Sequence, residues 1–494
     1  MIRNFSKDFM QYLPAQIVPT IVGLISLPIF THLFLPADYG NYTLVVSTVS
    51  ILCIIVGWLS MAIIRYYQNS KDNNKLSEFY GNVIILLILS IAAVVFLYFI
   101  TLLYLRVKIS PQLWDLFLLG IPLFIFSASC QTLLQFLRAS RQINYYTIFS
   151  ASISLATFCI GLVFVMLLKV GVNGLILGLM LSNIIILPFL LVVELKDIVP
   201  LNFRNFSIKK TKEMMKYGFP LMVGNLAAWI LDVSDRFVLK IYRGSGEVGI
   251  YSAHYTISQS SILLFVSLIT LTAAPLCFKI WEEQGEARSQ KFMNRVTRYY
   301  LLLGIPIVIG ISILAKPITI ILTPVQYLSG YPIISLIAVG VFFLGLEQLF
   351  QFGLLFYKKT FYIMLMIIFC GLLNLGLNFW LVPKYGYIAA AFSTLVSYVV
   401  LFISILLISK RFYTFKFPLL SSIKILFSSL FMGALIFIAG LFVDLSNILY
   451  FSTAVITGII IYISLLLILK EPRKEELHFF KFLKTKYYKR KRVN

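Results

Sequence analysis

The sequence has no polar stretch long enough to fold as a soluble domain; the segments between its apolar runs reach about twenty residues at most. Charge is scarce too. Asp, Glu, Lys and Arg make up 12% of the 494 residues against 60% apolar and aromatic types, a ratio that excludes an ordinary globular composition. Cys53, Cys130, Cys159, Cys277 and Cys370 are scattered singly without CxxC spacing, so neither a disulfide framework nor a metal site is indicated. They read as small apolar core residues. The GxSxG, GxxxxGK[ST] and HExxH patterns are also missing, as is GxGxxG in a strand-to-helix setting. This argues against nucleophilic hydrolysis, ATP use and dinucleotide chemistry. No catalytic residue, metal or cofactor is expected.

What fills the chain is fourteen apolar stretches, at 11–33, 41–63, 81–105, 113–135, 145–168, 173–195, 217–241, 251–275, 298–321, 332–357, 361–382, 386–409, 418–443 and 447–470. Each reaches the roughly 20 residues that a helix needs to cross about 30 Å of hydrocarbon. Backbone amides in lipid find no water, so uniformly apolar runs of this length are helices; the alternation of barrel strands is absent. The expected fold is an all-α integral membrane protein with about fourteen transmembrane helices.

Of the 42 Lys and Arg residues, 34 fall on one side if the N-terminus is cytoplasmic. Basic residues in short loops resist translocation, so both termini are expected in the cytoplasm. The net charge of +23 is then mainly a topology signal, and nucleic acid is not an expected partner. The basic tail of residues 471–494 interleaves aromatic side chains with its cations, which suits anionic lipid headgroups.

The chain also repeats itself. Phe9-Met10-Gln11-Tyr12-Leu13-Pro14 at the start of span 1 is echoed by Met214-Met215-Lys216-Tyr217-Gly218-Phe219-Pro220 at span 7. Gly40-Asn41-Tyr42 is echoed by Gly249-Ile250-Tyr251, and Leu133-Leu134-Gln135-Phe136 by Leu349-Phe350-Gln351-Phe352. Gly171 and Gly386 precede spans 6 and 12. These echoes keep their order at offsets between 206 and 216 residues, the signature of two six-helix halves. Six crossings return the chain to its starting side, so the repeats are parallel, as in transporters that rock two lobes about a central site. The expected division is a first lobe at 1–195, a basic cytoplasmic linker at 196–216, a second lobe at 217–409, two additional helices at 410–470 and the tail at 471–494.

A charge at the bilayer centre costs about 2.5–3.5 kcal/mol even on lenient scales, which makes intramembrane ionisable residues informative. Span 7 concentrates them: Asn225, Asp232, Asp235, Arg236 and Lys240 share one stripe of a helix. Two readings stand. Asp232 and Arg236, at i,i+4, can form a self-neutralising pair. Alternatively, the stripe lines a cavity between the lobes, where Arg236 and Lys240 attract an anionic substrate and Lys240 snorkels outward. Glu347 in span 10, beside Gln348 and Gln351, has no cation in its own span. Glu347 and Gln351 are candidates for proton or sodium coupling, or for an interhelical hydrogen bond. His32 and His254 read as interfacial hydrogen bonders. Arg65, Arg138 and Arg141 flank spans 2 and 4 on the inner side, where topology explains them and headgroup contact is a minor reading.

Several segments carry a resemblance: Tyr12-Leu13-Pro14 at span 1, Pro36-Ala37-Asp38-Tyr39-Gly40-Asn41-Tyr42, and Trp229 to Phe237 ahead of Gly249-Ile250-Tyr251. Lys358-Lys359-Thr360 and Gly386-Tyr387-Ile388-Ala389-Ala390 add to it. The chain resembles polysaccharide-type oligosaccharide flippases of the multidrug/oligosaccharidyl-lipid/polysaccharide exporter superfamily, strongly over spans 1–12 and loosely beyond. The resemblance implies a bacterial inner-membrane protein that moves undecaprenyl-pyrophosphate-linked oligosaccharides outward for surface polysaccharide or O-antigen synthesis, alongside an assembly machinery. Drug and cation exporters of the same fold carry an acidic site in their first span, which is lacking here; an ion-coupled exporter is the alternative reading. A membrane polymerase or glycosyltransferase is a remoter one, because the outer loops are short.

The charge asymmetry has a direct test. In a Cys-free background, a cysteine at position 245 should react with an impermeant thiol reagent from outside and one at position 209 only from inside; the reverse pattern overturns the orientation.

Overall fold

The computed structural model describes residues 2–196 and 206–471. The tail at 472–494 and most of the linker therefore lie outside the described residues, as does the expected lipid contact of the tail. Among the described residues there is helix and no strand. The first half comprises α1 (Ile2–Leu33), α2 (Pro36–Val56), α3 (Trp58–Asp72), α4 (Leu76–Leu105), α5 (Pro111–Ala139), α6 (Ile143–Leu162) and α7 (Asn173–Leu195). The second comprises α8 (Ile208–Arg243), α9 (Ser245–Ile313), α10 (Ala315–Leu322), α11 (Tyr331–Phe350), α12 (Phe352–Phe356), α13 (Thr360–Ser409), α14 (Leu419–Phe442) and α15 (Ile448–Ile468). Eleven helical stretches among the described residues are long and apolar enough to cross a membrane.

Two of these are too long for one crossing. At 1.5 Å per residue the 69 residues of α9 would run to about 100 Å, more than three bilayer cores. The chain instead turns at Gly285, whose φ of 75° falls in the left-handed region that glycine adopts without a Cβ penalty. The arms on either side run back along each other, with Cys277 Sγ 3.3 Å from Met293 Sδ and the rings of Phe265 and Tyr300 5.7 Å apart. The 50 residues of α13 turn likewise at Gly386, with φ of 60°. The sequence reading places a loop between spans 8 and 9; the helix continues through it on both sides of one glycine. Span 9 also ends early, at Ile313, where Leu314 redirects the chain into α10.

Apolar burial divides into two cores. One gathers side chains such as Leu59, Val83, Leu116 and Ile176 from the first half; the other gathers Leu239, Val266, Ile337 and Leu401 from the second. Cys159 is exposed, which corrects the reading of all five cysteines as core. It lies on α6, where Ile143, Thr147 and Gly161 are the buried residues.

The halves touch at both ends. At the end the charge pattern places outside, α2 and α9 start against each other so closely that a Cβ on Gly40 would meet the Ser245 carbonyl and one on Gly249 the Pro36 carbonyl. Ser245 donates to Asn41 and accepts from Lys240. Lys240 thus bridges the helix ends, where the sequence suggested a snorkelling side chain. At the other end Trp58 stacks on Phe219 at 5.3 Å, Lys210 pairs with Glu78 at 2.6 Å, and the Tyr66 hydroxyl donates to the Glu213 carbonyl at 3.2 Å. A buried Arg298–Glu471 pair fixes the chain after α15 to the second arm of α9.

Gly249→Val should lower the melting temperature in detergent, because overpacking against a backbone carbonyl costs about 1–3 kcal/mol. Gly246→Val, where a Cβ has nothing within 4 Å, is the control; equal melting temperatures would contradict the close packing of α2 on α9.

Candidate polar chambers around α8

The stripe on α8 is about 140° wide at 100° per residue, so its members do not share one neighbour. Asp235 is fully buried and accepts from the Tyr251 hydroxyl of α9 and, at 2.9 Å, from the Thr394 hydroxyl of α13. Beside it Ser234 donates to Asn374 Oδ1 at 3.5 Å, which also accepts from Asn378 at 2.9 Å. Asp235 Oδ1, Asn374 Nδ2, Asn378 Oδ1 and Ser393 Oγ are buried without a partner. A carboxylate with neutral oxygens is a donor type that hard cations take. Among the described residues, no group of three or more His, Cys, Asp and Glu is placed to hold a metal.

Asp232 faces elsewhere. Its carboxylate accepts from the Tyr255 hydroxyl, from Gln259 Nε2 at 3.1 Å and from the Tyr398 hydroxyl at 3.1 Å. It lines a cavity of about 620 Å³ with Asn225, Gln259, Glu347, Gln348 and Gln351. Asn225 and Asp232 of span 7 therefore meet Glu347 and Gln351 of span 10 in one chamber. Glu347 is 4% exposed and its Oε1 has no partner. Gln351 sits where α11 ends and α12 begins, its backbone N–H donating to the Glu347 backbone carbonyl at 2.9 Å.

Arg236 does not pair with the Asp232 carboxylate. It donates instead to the Asp232 backbone carbonyl at 3.1 Å, and its guanidinium carbon lies 4.8 Å from the centre of the Tyr255 ring and 5.9 Å from that of Tyr251. Three hydroxyl and amide donors converge on Asp232 Oδ1, and a desolvated guanidinium over tyrosine faces gains about 2 kcal/mol. The i,i+4 ion pair anticipated from spacing is thus replaced by a cation–π arrangement. Arg236 opens onto a second cavity of about 250 Å³, whose walls include Tyr42, Ser47 and Ser50 of α2 and Ser252 and Thr256 of α9. Trp229 donates to Ser50 at 2.7 Å, linking α8 to α2 between the chambers.

The stripe is therefore divided: Asn225 and Asp232 join Glu347 and the glutamines in the larger chamber, Arg236 lies among hydroxyls in the smaller, and Asp235 and Lys240 line neither. Acceptors and amides suit polyols, and a fixed cation suits an anion. The sequence reading missed Tyr251, Tyr255, Gln259, Asn374, Asn378, Thr394 and Tyr398. A signal existed, since Tyr251, Tyr255 and Gln259 repeat at i, i+4 and i+8, and Asn374 and Asn378 sit at i,i+4 inside an apolar run.

Other candidates stand apart. Arg65 lies over the Tyr217 ring at 5.9 Å, Arg138 bonds to Gln135 at 3.2 Å, and Arg141 is exposed; nothing brings the three together. His32 bonds to the Pro28 carbonyl at 2.7 Å. His254, expected at an interface, is fully buried and bonds to the Ile250 carbonyl at 2.7 Å; the absence of a side chain at Gly330 leaves room for its ring. An apolar groove of about 600 Å³ lies between the second arm of α9, α14 and α15.

Tyr255→Phe leaves Asp232 two donors, whereas Asp232→Leu removes the acceptor that Tyr255, Tyr398 and Gln259 share and leaves only the 3.2 Å contact between the two hydroxyls and the 3.5 Å one from Gln259 to Tyr255. Orphaning buried donors costs about 1–3 kcal/mol each, so the second change should depress the melting temperature markedly more than the first. Equal shifts would show that the network is not held together by the carboxylate.

Residues 5–281 match the family described as polysaccharide biosynthesis protein. An uncharacterized membrane protein of Methanocaldococcus jannaschii is 26% identical over 40% of this chain and 39% of its own length. The succinoglycan biosynthesis transport protein ExoT of Rhizobium meliloti is 23% identical over 64% of this chain and 62% of its own. The chain thus spans less than two thirds of the curated relatives it matches. In fold it is similar to the lipid II flippase MurJ in an inward closed conformation, with a TM-score of 0.78 at 20% identity over 92% of this chain and 98% of that one. An inward-facing multidrug resistance MATE family transporter of the MOP superfamily gives 0.63 at 14% identity, covering 81% and 94%.

Proposed function

The chain belongs to the polysaccharide biosynthesis protein family, and we propose on that basis that it carries undecaprenyl-pyrophosphate-linked oligosaccharides across the bacterial inner membrane by alternating access. It is a multi-pass membrane protein of the transporter and flippase kind. The observation that carries the substrate reading is the pair of adjacent chambers beneath closed ends. Arg236 offers the smaller chamber a permanent positive charge for pyrophosphate, while Asn225, Gln259, Gln348 and Gln351 in the larger one offer hydrogen bonds to sugar hydroxyls. Both chambers abut α8, which packs against α2 and α3 of the first half and α9 and α13 of the second.

In this reading α9 and α13 each cross the membrane twice around their glycine turns and α8 crosses once. With the other nine spanning stretches that makes fourteen crossings, with both termini cytoplasmic, arranged as two six-helix lobes plus α14 and α15. The contacts at the two ends of the seam become alternate gates. Coupling to a cation falls to two places: the oxygen cluster around Asp235, and Glu347, whose unpartnered Oε1 faces no cation of its own helix. One observation favours the exporter of a cationic drug as a second reading, namely that the larger chamber holds two carboxylates and no basic side chain.

Complementation of a flippase-deficient strain separates these readings. Arg236→Ala should abolish growth or polymer export at near-normal protein levels, Arg236→Lys should restore part of it, and the double change Asp232→Asn/Arg236→Gln should not recover. Full transport by the double variant would sink the pyrophosphate role of Arg236, and drug resistance without polymer export would favour the exporter.

A further inference from the structure

The elbow of α9 carries cationic groups that the chambers do not use. After Gly285 the second arm presents Arg288, Lys291 and Arg295 at i, i+3 and i+7, on one helix face. Its opposite face is braced on the segment between α13 and α14: Ser289 meets the Tyr413 hydroxyl at 3.0 Å, Gln290 donates to Thr414 at 2.6 Å, and Asn294 donates to the Lys416 carbonyl. Tyr413 lies outside the spans, and burial pushes its hydroxyl up to about 12, so it stays a neutral partner of Ser289. The brace holds the arm in one rotation. The three basic residues, with Ile280, Gln284 and Phe292, line a cavity of about 280 Å³ that has no acidic lining among the described residues. Two carboxylates of the elbow are engaged elsewhere: Glu283 lies 3.8 Å from Lys279, and Glu286 accepts from Gln290 at 3.0 Å and Tyr357 at 3.3 Å.

The same helix face changes character two turns on. Leu302, Leu303, Pro306 and Gly310 line the apolar groove beside α14 and α15. A phosphate joined to a hydrocarbon chain matches both halves of this face; a free anion matches only one. We propose that the Gly285 elbow binds the phosphate headgroup of a membrane lipid, with Arg288 and Lys291 on the phosphate and the chain leaving toward the groove. Arg can hold two phosphate oxygens at once and Lys adds a point charge. That the leaflet is the cytoplasmic one rests on the orientation in the proposed function; the site itself does not.

The test uses the full chain, exchanged in detergent into phosphatidylcholine plus either phosphatidylglycerol or undecaprenyl diphosphate, with retained lipid counted by native mass spectrometry. Arg288→Gln/Lys291→Gln should retain about thirtyfold less phosphate lipid, the scale set by two basic groups lost at an interface. The charge-preserving swap Arg288→Lys/Lys291→Arg and the distant control Lys108→Gln/Lys169→Gln should retain the wild-type amount. Loss with both lipids supports a general phosphate-lipid site, and loss confined to the diphosphate supports capture of the translocated lipid. Equal retention by wild type and the double Gln variant with both lipids, at unchanged melting temperature, overturns the site. Arg236→Ala keeps the elbow intact, so a flippase reading that fails in complementation leaves this result standing.

Discussion

Carboxylates inside a lipid-embedded bundle cannot borrow water, and this constraint organises the centre of the molecule. Asp232 and Asp235 are each taken up by hydroxyl donors from other helices, Tyr255 and Tyr398 for one, Tyr251 and Thr394 for the other. A buried charge deprived of such partners costs several kcal/mol, so these bonds pin α8 between α9 and α13. The arrangement leaves Arg236 unclaimed by either carboxylate. That is why a guanidinium survives at depth as a group facing a cavity instead of vanishing into an internal pair.

The larger chamber follows from the same geometry. Helices held apart by tyrosines, with Glu347 and three glutamine side chains on the facing walls, leave a space that no apolar side chain fills. The seam between the halves, by contrast, is packed to backbone contact at its ends, where glycine alone fits. A polar interior between tight ends suits the proposed transport, in which the compartment would open on one side at a time.

Asp232, Arg236 and Glu347 were legible in the sequence because a charge within an apolar run stands out against its neighbours. Which wall each one faces was not, because a helical wheel contains no partner helices: Asp232 and Arg236 fall 40° apart on the wheel yet open onto different chambers. The tyrosines stayed hidden since the chain has 28 of them, and a Tyr in a span is ordinarily an interfacial anchor. The helical nature of the chain could be read from length and hydropathy. The turns inside α9 and α13 could not, because a left-handed φ at Gly285 or Gly386 leaves no mark that distinguishes it from the 27 glycines of the chain.

The hairpin of α9 joins two regions that otherwise share no helix. Its first arm packs on α2 at the seam, and its second carries α14 and α15 beside the apolar groove. Because the arms meet at one residue and are cross-packed through Cys277 and Met293, the element behaves as a lever with a stiff fulcrum. If the seam opens as proposed, tilt imposed there would be delivered as torque to the periphery, and the width of the groove and the state of the gates would form a single mechanical coordinate.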